Sequence, residues 1–167
     1  FILSYLLLDK LMAQNSGRIL LVSSEGHRFC AWGLRLDDLN WQKRAYSGLR
    51  SYGSAKTAQL LSMLIFNERL KGSGVTINAM HPGAVKTHTG RDNGPVYQWF
   101  KRTVIERNIE TPEISAIALY YLGASADVSE ISGKFFNLTT LEEPAPPALD
   151  VEMAQDLWEI SMRLGGL

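Results

Sequence analysis

Apolar and polar positions run along this chain in blocks whose period changes several times. FILSYLLLDKLMAQNSG puts Leu, Ile and Met on a broad face, predicting a helix over residues 1–15 that Asn15 to Gly17 stop. RILLVSS follows, an apolar run of strand length without polar alternation, the pattern of a strand buried on both faces. Residues 25–46 are mixed and loop-like, long for a structureless connection, and therefore expected to be functional or locally ordered. From Ser51 to Leu70 the apolar positions Leu60, Leu61, Leu64 and Ile65 recur at helical spacing, until Lys71 and the glycines at 72 and 74 turn the chain.

VTINAM is the next strand, cut off by Pro82 and Gly83. A polar stretch with GRDNGP leads to a short helix around VYQWFKRTVI. TPEISAIALYYLGAS opens a further helix, with Thr111 as N-cap, Pro112 at the first position and Glu113 in the first turn. GKFFN is the third strand, EEPAPPA a stiff bend, and LDVEMAQDLWEISMRL a terminal amphipathic helix over about residues 148–164. Strands separated by helices predict βαβ crossovers and an α/β fold with a helix-covered parallel sheet.

Composition narrows this picture. With 46% apolar and 20% charged residues in a chain of 167, the sequence suits one globular domain with a real core. Seventeen basic and seventeen acidic side chains cancel, so no global field draws in nucleic acid or anionic lipid. Cys30 is the only cysteine, which excludes an intramolecular disulfide and a multi-cysteine zinc site. A reducing, cytoplasmic setting is expected from that thiol usage. The opening apolar stretch is far shorter than the roughly 20 residues that span a bilayer. It reads as a helix entered midway.

Candidate chemistry gathers where an open α/β sheet binds ligands, beyond the carboxyl ends of its strands. Ser23 and Ser24 end the first strand, HPGAVKT at 81–87 follows the second, and Tyr52 and Lys56 open the intervening helix. Residues four apart share a helix face, so Lys56 can favour the phenolate of Tyr52. Such a tyrosine can exchange a proton with a substrate alcohol or carbonyl oxygen, which Ser24 can help to fix. The bland alternatives are a surface Tyr–Lys pair and serines that merely end a strand. Tyr46 is a rival tyrosine, but Arg50, not lysine, follows it four residues on. His27, His81 and His88 lack acidic or cysteine partners at ligand spacing, so no metal site is expected.

ILLVSS, YGSAK and INAMHPGAVKT, in order over nearly the whole chain, resemble the second half of a short-chain dehydrogenase/reductase. VSSEGH, LDDLNW, YGSAKTAQLL and HPGAVKTHT resemble its retinol dehydrogenase-like branch. The resemblance implies a Rossmann-type doubly wound parallel sheet, here as a single partial domain over 1–167 with about three strands and flanking helices. It implies an oxidoreductase that interconverts an alcohol and a carbonyl with NAD or NADP. By resemblance Ser24 orients the substrate oxygen, Tyr52 is the general acid/base, and Lys56 also binds the nicotinamide ribose. Tyr52 itself borders the cofactor, Pro82 and Gly83 shape the wall beside the nicotinamide, and Val85 and Thr87 contact its carboxamide side.

The family's opening strand, glycine-rich turn and phosphate-cradling helix have no counterpart here, nor has its asparagine ahead of the serine strand. Gly72 and Gly74 precede a strand and are expected to form a turn. The chain is therefore expected to be a C-terminal portion, inactive and poor in dinucleotide binding when alone, with its serine strand left as an apolar sheet edge. The substrate is expected to be a small, lipophilic or bulky alcohol or carbonyl. Trp32, Trp41, Tyr97, Trp99 and Phe100 divide between pocket lining and loop packing, with 90–108 as the substrate lid. Helices 1–15 and 51–70 resemble the pair that forms homo-oligomers in many relatives. The rival reading is a catalytically silent, truncated relative that acts by association.

Overall fold

In a computed structural model, which describes residues 1–83 and 111–167, four strands form one sheet in the order β1-β2-β3-β4. β1 (Gly17–Val22) pairs in parallel with β2 (Val75–His81), from Gly17 opposite Val75 to Val22 opposite Met80. β2 pairs in parallel with β3 (Phe135–Asn137), which turns back at Leu138 into antiparallel β4 (Thr140–Glu142). The sequence pattern predicts only three of these strands. β4 is three residues long and mostly exposed, so it leaves no apolar run to find.

Among the described residues four α-helices accompany the sheet: α1 (Ile2–Ala13), α2 (Gly48–Arg69), α3 (Pro112–Ala124) and α4 (Val151–Gly165). α2 begins three residues before the expected Ser51, because Gly48, Leu49 and Arg50 add a turn that carries no apolar period. α3 starts as expected after Thr111, with Pro112 in its first turn, although the threonine side chain makes no capping bond. α4 is capped by the Asp150 carboxylate, which accepts from Met153 N at 2.9 Å, and stops at left-handed Gly166. The short helix expected around VYQWFKRTVI lies outside the described residues.

Side chains alternate across β2 and β3, so each strand feeds two cores. Val75, Ile77, Ala79 and Phe135 pack with Leu8, Leu60, Met63, Phe66 and Trp158 from α1, α2 and α4. Met80 and Phe136 face Ala118 and Leu122 of α3 on the opposite side. Helices on both faces make this the doubly wound, mostly parallel sheet that the motif order implies. Trp158 seals the first core, edge-on to Phe1 and to Phe66 with ring centres 4.8 Å away in each case, while the Arg69 guanidinium lies over its indole. Asn78 is buried in β2, but its amide donates to Ile131 O at 2.6 Å and accepts from Lys134 N at 3.0 Å. That satisfies a polar side chain on an otherwise apolar strand.

β1 departs from the expectation of a strand buried on both faces and agrees with that of an apolar sheet edge. It is only half-buried along its length, because it is the sheet edge and has a partner on one side alone. α1 shares that openness: Leu8 is buried, whereas Ile2, Leu3, Leu6 and Leu7 are exposed. The connection from residue 25 to 46 is ordered, as its length implies, by two short 3-10 turns (Glu25–Phe29 and Leu36–Asp38). The buried Asp38 carboxylate organises the second, accepting from Gln42 N and Lys43 N at 2.6 and 3.1 Å and pairing with Arg44.

Candidate active site

Beyond the carboxyl ends of β1 and β2 the chain brings together the serine pair, the start of α2 and the Pro-Gly bend. Ser23 N donates to Met80 O at 2.7 Å, which extends the pairing of the two strands past Val22. Ser23 is buried and its hydroxyl has no partner among the described residues. The Ser24 hydroxyl oxygen instead accepts from Gly26 N at 3.0 Å and caps the turn Glu25–Phe29. An accepting serine keeps its own proton, so Ser24 retains an O–H that can donate outward.

Tyr52 and Lys56 stand one turn apart near the start of α2, as their spacing requires. The Lys56 ammonium donates to Val22 O at 3.1 Å, tying the helix to the last residue of β1. It lies 5.8 Å from the centre of the Tyr52 ring. Burial pushes the Lys56 pKa below its ordinary value. One contact to Val22 leaves two of the three ammonium donors for other groups. Tyr52 is 44% exposed, so the ring is held while one side stays open.

Two glycines that motif spacing does not single out make this approach feasible. A Cβ on Gly26 would lie 2.8 Å from Tyr52 Cδ1, nearer still to Cε1, and 3.3 Å from Ser24 Oγ. The Tyr52 ring therefore occupies space that any other residue at 26 would fill. A Cβ on Gly53 would lie 2.9 Å from Gly26 O and from Phe29 Cβ, so α2 meets the serine turn almost backbone to backbone. The signal was available in EGH and YGS, but a glycine beside a motif says nothing until its neighbour in space is known.

Pro82 and Gly83 directly follow β2. Pro82 O accepts from the Ser115 hydroxyl of α3, and Gly83 has φ +82°, with Leu138 3.2 Å from where its Cβ would be. Val85, Thr87, the lid expected at 90–108 and its aromatics lie outside the described residues, as does His88. Trp32 is 87% exposed, whereas Trp41 packs edge-on to Tyr46 beneath the Arg44 guanidinium. Tyr46, the rival tyrosine, is exposed apart from that contact. Among the described residues no three His, Cys, Asp or Glu side chains gather as metal ligands. Both ring nitrogens of His27 are taken by backbone groups, while burial lowers the pKa of His81, whose Nδ1 lacks a partner among the described residues.

Lys56 donors, the Ser24 hydroxyl and the open edge of Tyr52 fit the ribose and nicotinamide end of a dinucleotide. The phosphate end finds no such fit among the described residues. Gly72 and Gly74 both have positive φ, at 77° and 70°, and form the turn leading into β2 rather than a cradle after a strand.

No family model matches the chain. Individual relatives do, over its entire length. Human retinol dehydrogenase 13 is 40% identical, aligned across 100% of this chain and 51% of its own length. Human retinol dehydrogenase 14 is 32% identical across 100% of this chain and 49% of its own. The chain belongs to the short-chain dehydrogenase/reductase family. It falls in that family's retinol dehydrogenase-like branch and matches the C-terminal part of these relatives. A chloroplastic short-chain dehydrogenase of Brassica napus, TIC 32 A, is 31% identical over 98% of the chain and 53% of its own length. A crystal structure of an uncharacterized protein from Mycobacterium paratuberculosis superposes with a TM-score of 0.59 at 25% identity, over 90% of this chain and 51% of that one. The chain spans about half the length of the curated relatives it matches.

Proposed function

We propose that this chain supplies the proton-transfer and substrate half of an NAD(P)-dependent oxidoreductase that interconverts an alcohol and a carbonyl. The observation that carries this reading is the packing of Tyr52 on Gly26, beside the capped Ser24, with Lys56 anchored to Val22. The names of the relatives, retinol and short-chain dehydrogenases, support the same reaction class and a lipophilic small-molecule substrate. When bound, the nicotinamide exchanges a hydride with the substrate carbon. In oxidation the Tyr52 oxygen takes the hydroxyl proton as the C–H and O–H bonds break and C=O forms. In reduction the Tyr52 hydroxyl returns it. Ser24 donates to the reacting oxygen in both directions, and Lys56 holds positive charge beside Tyr52 and binds ribose hydroxyls.

In a protein that carries the nucleotide-binding half, Tyr52→Phe lowers kcat by about 100- to 10,000-fold, the usual worth of a positioned acid/base. Unchanged nicotinamide-dependent turnover in that variant would remove Tyr52 from the mechanism. The chain by itself binds NAD(P) weakly in this reading, so tight binding in calorimetric titration would contradict it. A second reading, association without catalysis, draws on the open edge of β1 and the exposed Ile2, Leu3, Leu6 and Leu7 of α1. Sedimentation of the chain distinguishes the two, since concentration-dependent self-association without turnover favours the second.

A further inference from the structure

His27 is 1% exposed, and the proton-transfer scheme gives it no part. Its Nδ1 lies 2.8 Å from Ser24 O, and its Nε2 accepts from Ala145 N at 3.0 Å. A nitrogen that accepts a backbone N–H carries no proton, so the proton of the neutral ring is on Nδ1 and is donated to Ser24 O. The backbone N of His27 donates to the same carbonyl at 3.2 Å. Ser24 is thus gripped at its carbonyl by His27 and at its hydroxyl oxygen by Gly26 N. The imidazole also stands edge-on to Phe135 of β3, with ring centres 5.1 Å apart. The His27 carbonyl accepts from the buried Thr57 hydroxyl at 3.1 Å, one position beyond Lys56 on α2. One residue therefore ties the serine turn to α2, to β3 and to the segment after β4.

We propose that His27 is a positioning residue, which fixes the Ser24 hydroxyl relative to Tyr52 by clamping the Ser24 carbonyl against Ala145 N. This rests on the oxidoreductase reading above. Without the clamp the turn Glu25–Phe29 keeps its chain path, but the Ser24 carbonyl is held only by the longer bond from His27 N and loses its tie to Ala145, so the Ser24 peptide can tilt. Its hydroxyl then drifts from the oxygen it must meet. Misplacement of a reacting group by about 1 Å costs on the order of 100-fold in rate.

The test uses a protein carrying the nucleotide-binding half, with nicotinamide absorbance as the readout. His27→Phe keeps the ring volume and the contact with Phe135 but loses both polar bonds, and lowers kcat by about 100-fold with KM for the nicotinamide cofactor unchanged. His27→Asn keeps a short side-chain donor for the Ser24 carbonyl and recovers part of that kcat. A merely structural histidine predicts instead that kcat per folded molecule is unchanged in both variants, and that result overturns the proposal. Should His27→Phe fail to fold, Ala145→Pro carries the test. Ala145 has φ −59°, which proline accepts, and the ring Cδ takes the place of the N–H aimed at Nε2, so that variant removes the bond and displaces the imidazole from this end of the clamp. It lowers kcat in the same direction by a smaller factor, and a wild-type kcat overturns the clamp. Full turnover by Tyr52→Phe overturns the oxidoreductase reading and this inference together. An inactive Tyr52→Phe alongside a fully active His27→Phe overturns this inference alone.

Discussion

β1 and β2 are neighbours in one sheet, similar in apolar content and paired residue for residue, yet they are differently buried. Ile77, Ala79 and Met80 of β2 have no exposed surface at all, while every residue of β1 is half-buried or exposed. The two runs look equally suited to a sheet interior. What separates them is position: β2 lies between two strands and under helices on both faces, whereas β1 has one neighbour. The ends of the two strands reverse the contrast. Beyond β1 the backbone is packed so closely that Gly26 has no room for a Cβ, and this tightness holds the candidate catalytic groups. At the end of β2 stands His81, with a buried nitrogen that has no hydrogen-bond partner among the described residues. Looseness along an edge strand and precision at its end therefore coexist, because the end is held by the turn and by α2 rather than by the sheet.

The largest effect should come from breaking the strand contrast itself. Ile77→Ala in β2 leaves a cavity that the surrounding rings cannot fill and costs about 2–5 kcal/mol, whereas Leu20→Ala in half-buried β1 costs roughly 1–2 kcal/mol. Urea denaturation of both variants checks this, and equal losses would mean that the edge strand is covered in solution. Gly26→Ala comes next, with an expected cost of about 1–3 kcal/mol from overpacking against Tyr52 and a fall in kcat exceeding any change in cofactor KM. A variant as stable and active as the wild type would show that Tyr52 does not rest on this turn.

The smallest effect concerns the end of β2. Burial lowers the pKa of His81 in the folded chain below its ordinary 6.5, with Glu25 and Glu142 opposing that shift and His27 adding to it. Above pH 6.5 the imidazole is neutral in both states and costs nothing. As pH falls below that value, the unfolded chain takes up the proton first, so stability declines down to the folded pKa. The thermal midpoint of wild type should therefore drop more than that of His81→Gln between about pH 7.5 and pH 5.5. Parallel curves would show that His81 is equally hydrated in both states.

Much of the framework was legible from residue order. RILLVSS and VTINAM gave parallel strands because helical segments separate them, and the Tyr52–Lys56 spacing put both on one face of a helix. The hairpin strand Thr140–Glu142 escaped because three mostly exposed residues carry no period. The spacing speaks for the charge of Lys56 on Tyr52, but its hydrogen bond goes to Val22 O, a partner that no side-chain pattern can announce. The residue pattern presents His27 only as a metal-ligand candidate, because its two ring partners are backbone groups, one of them 118 residues away.

By itself the sequence determined which segments form strands and helices, the order in which they cross the sheet, and the residue types at the ends of the strands. These follow from local periodicity, turn chemistry and motif order. Only the tertiary structure decided how far β1 is exposed, that Gly26 makes room for the Tyr52 ring, and that His27 grips Ser24. Each of those depends on what lies across space from a residue, and contacts between distant segments have no signature in local periodicity.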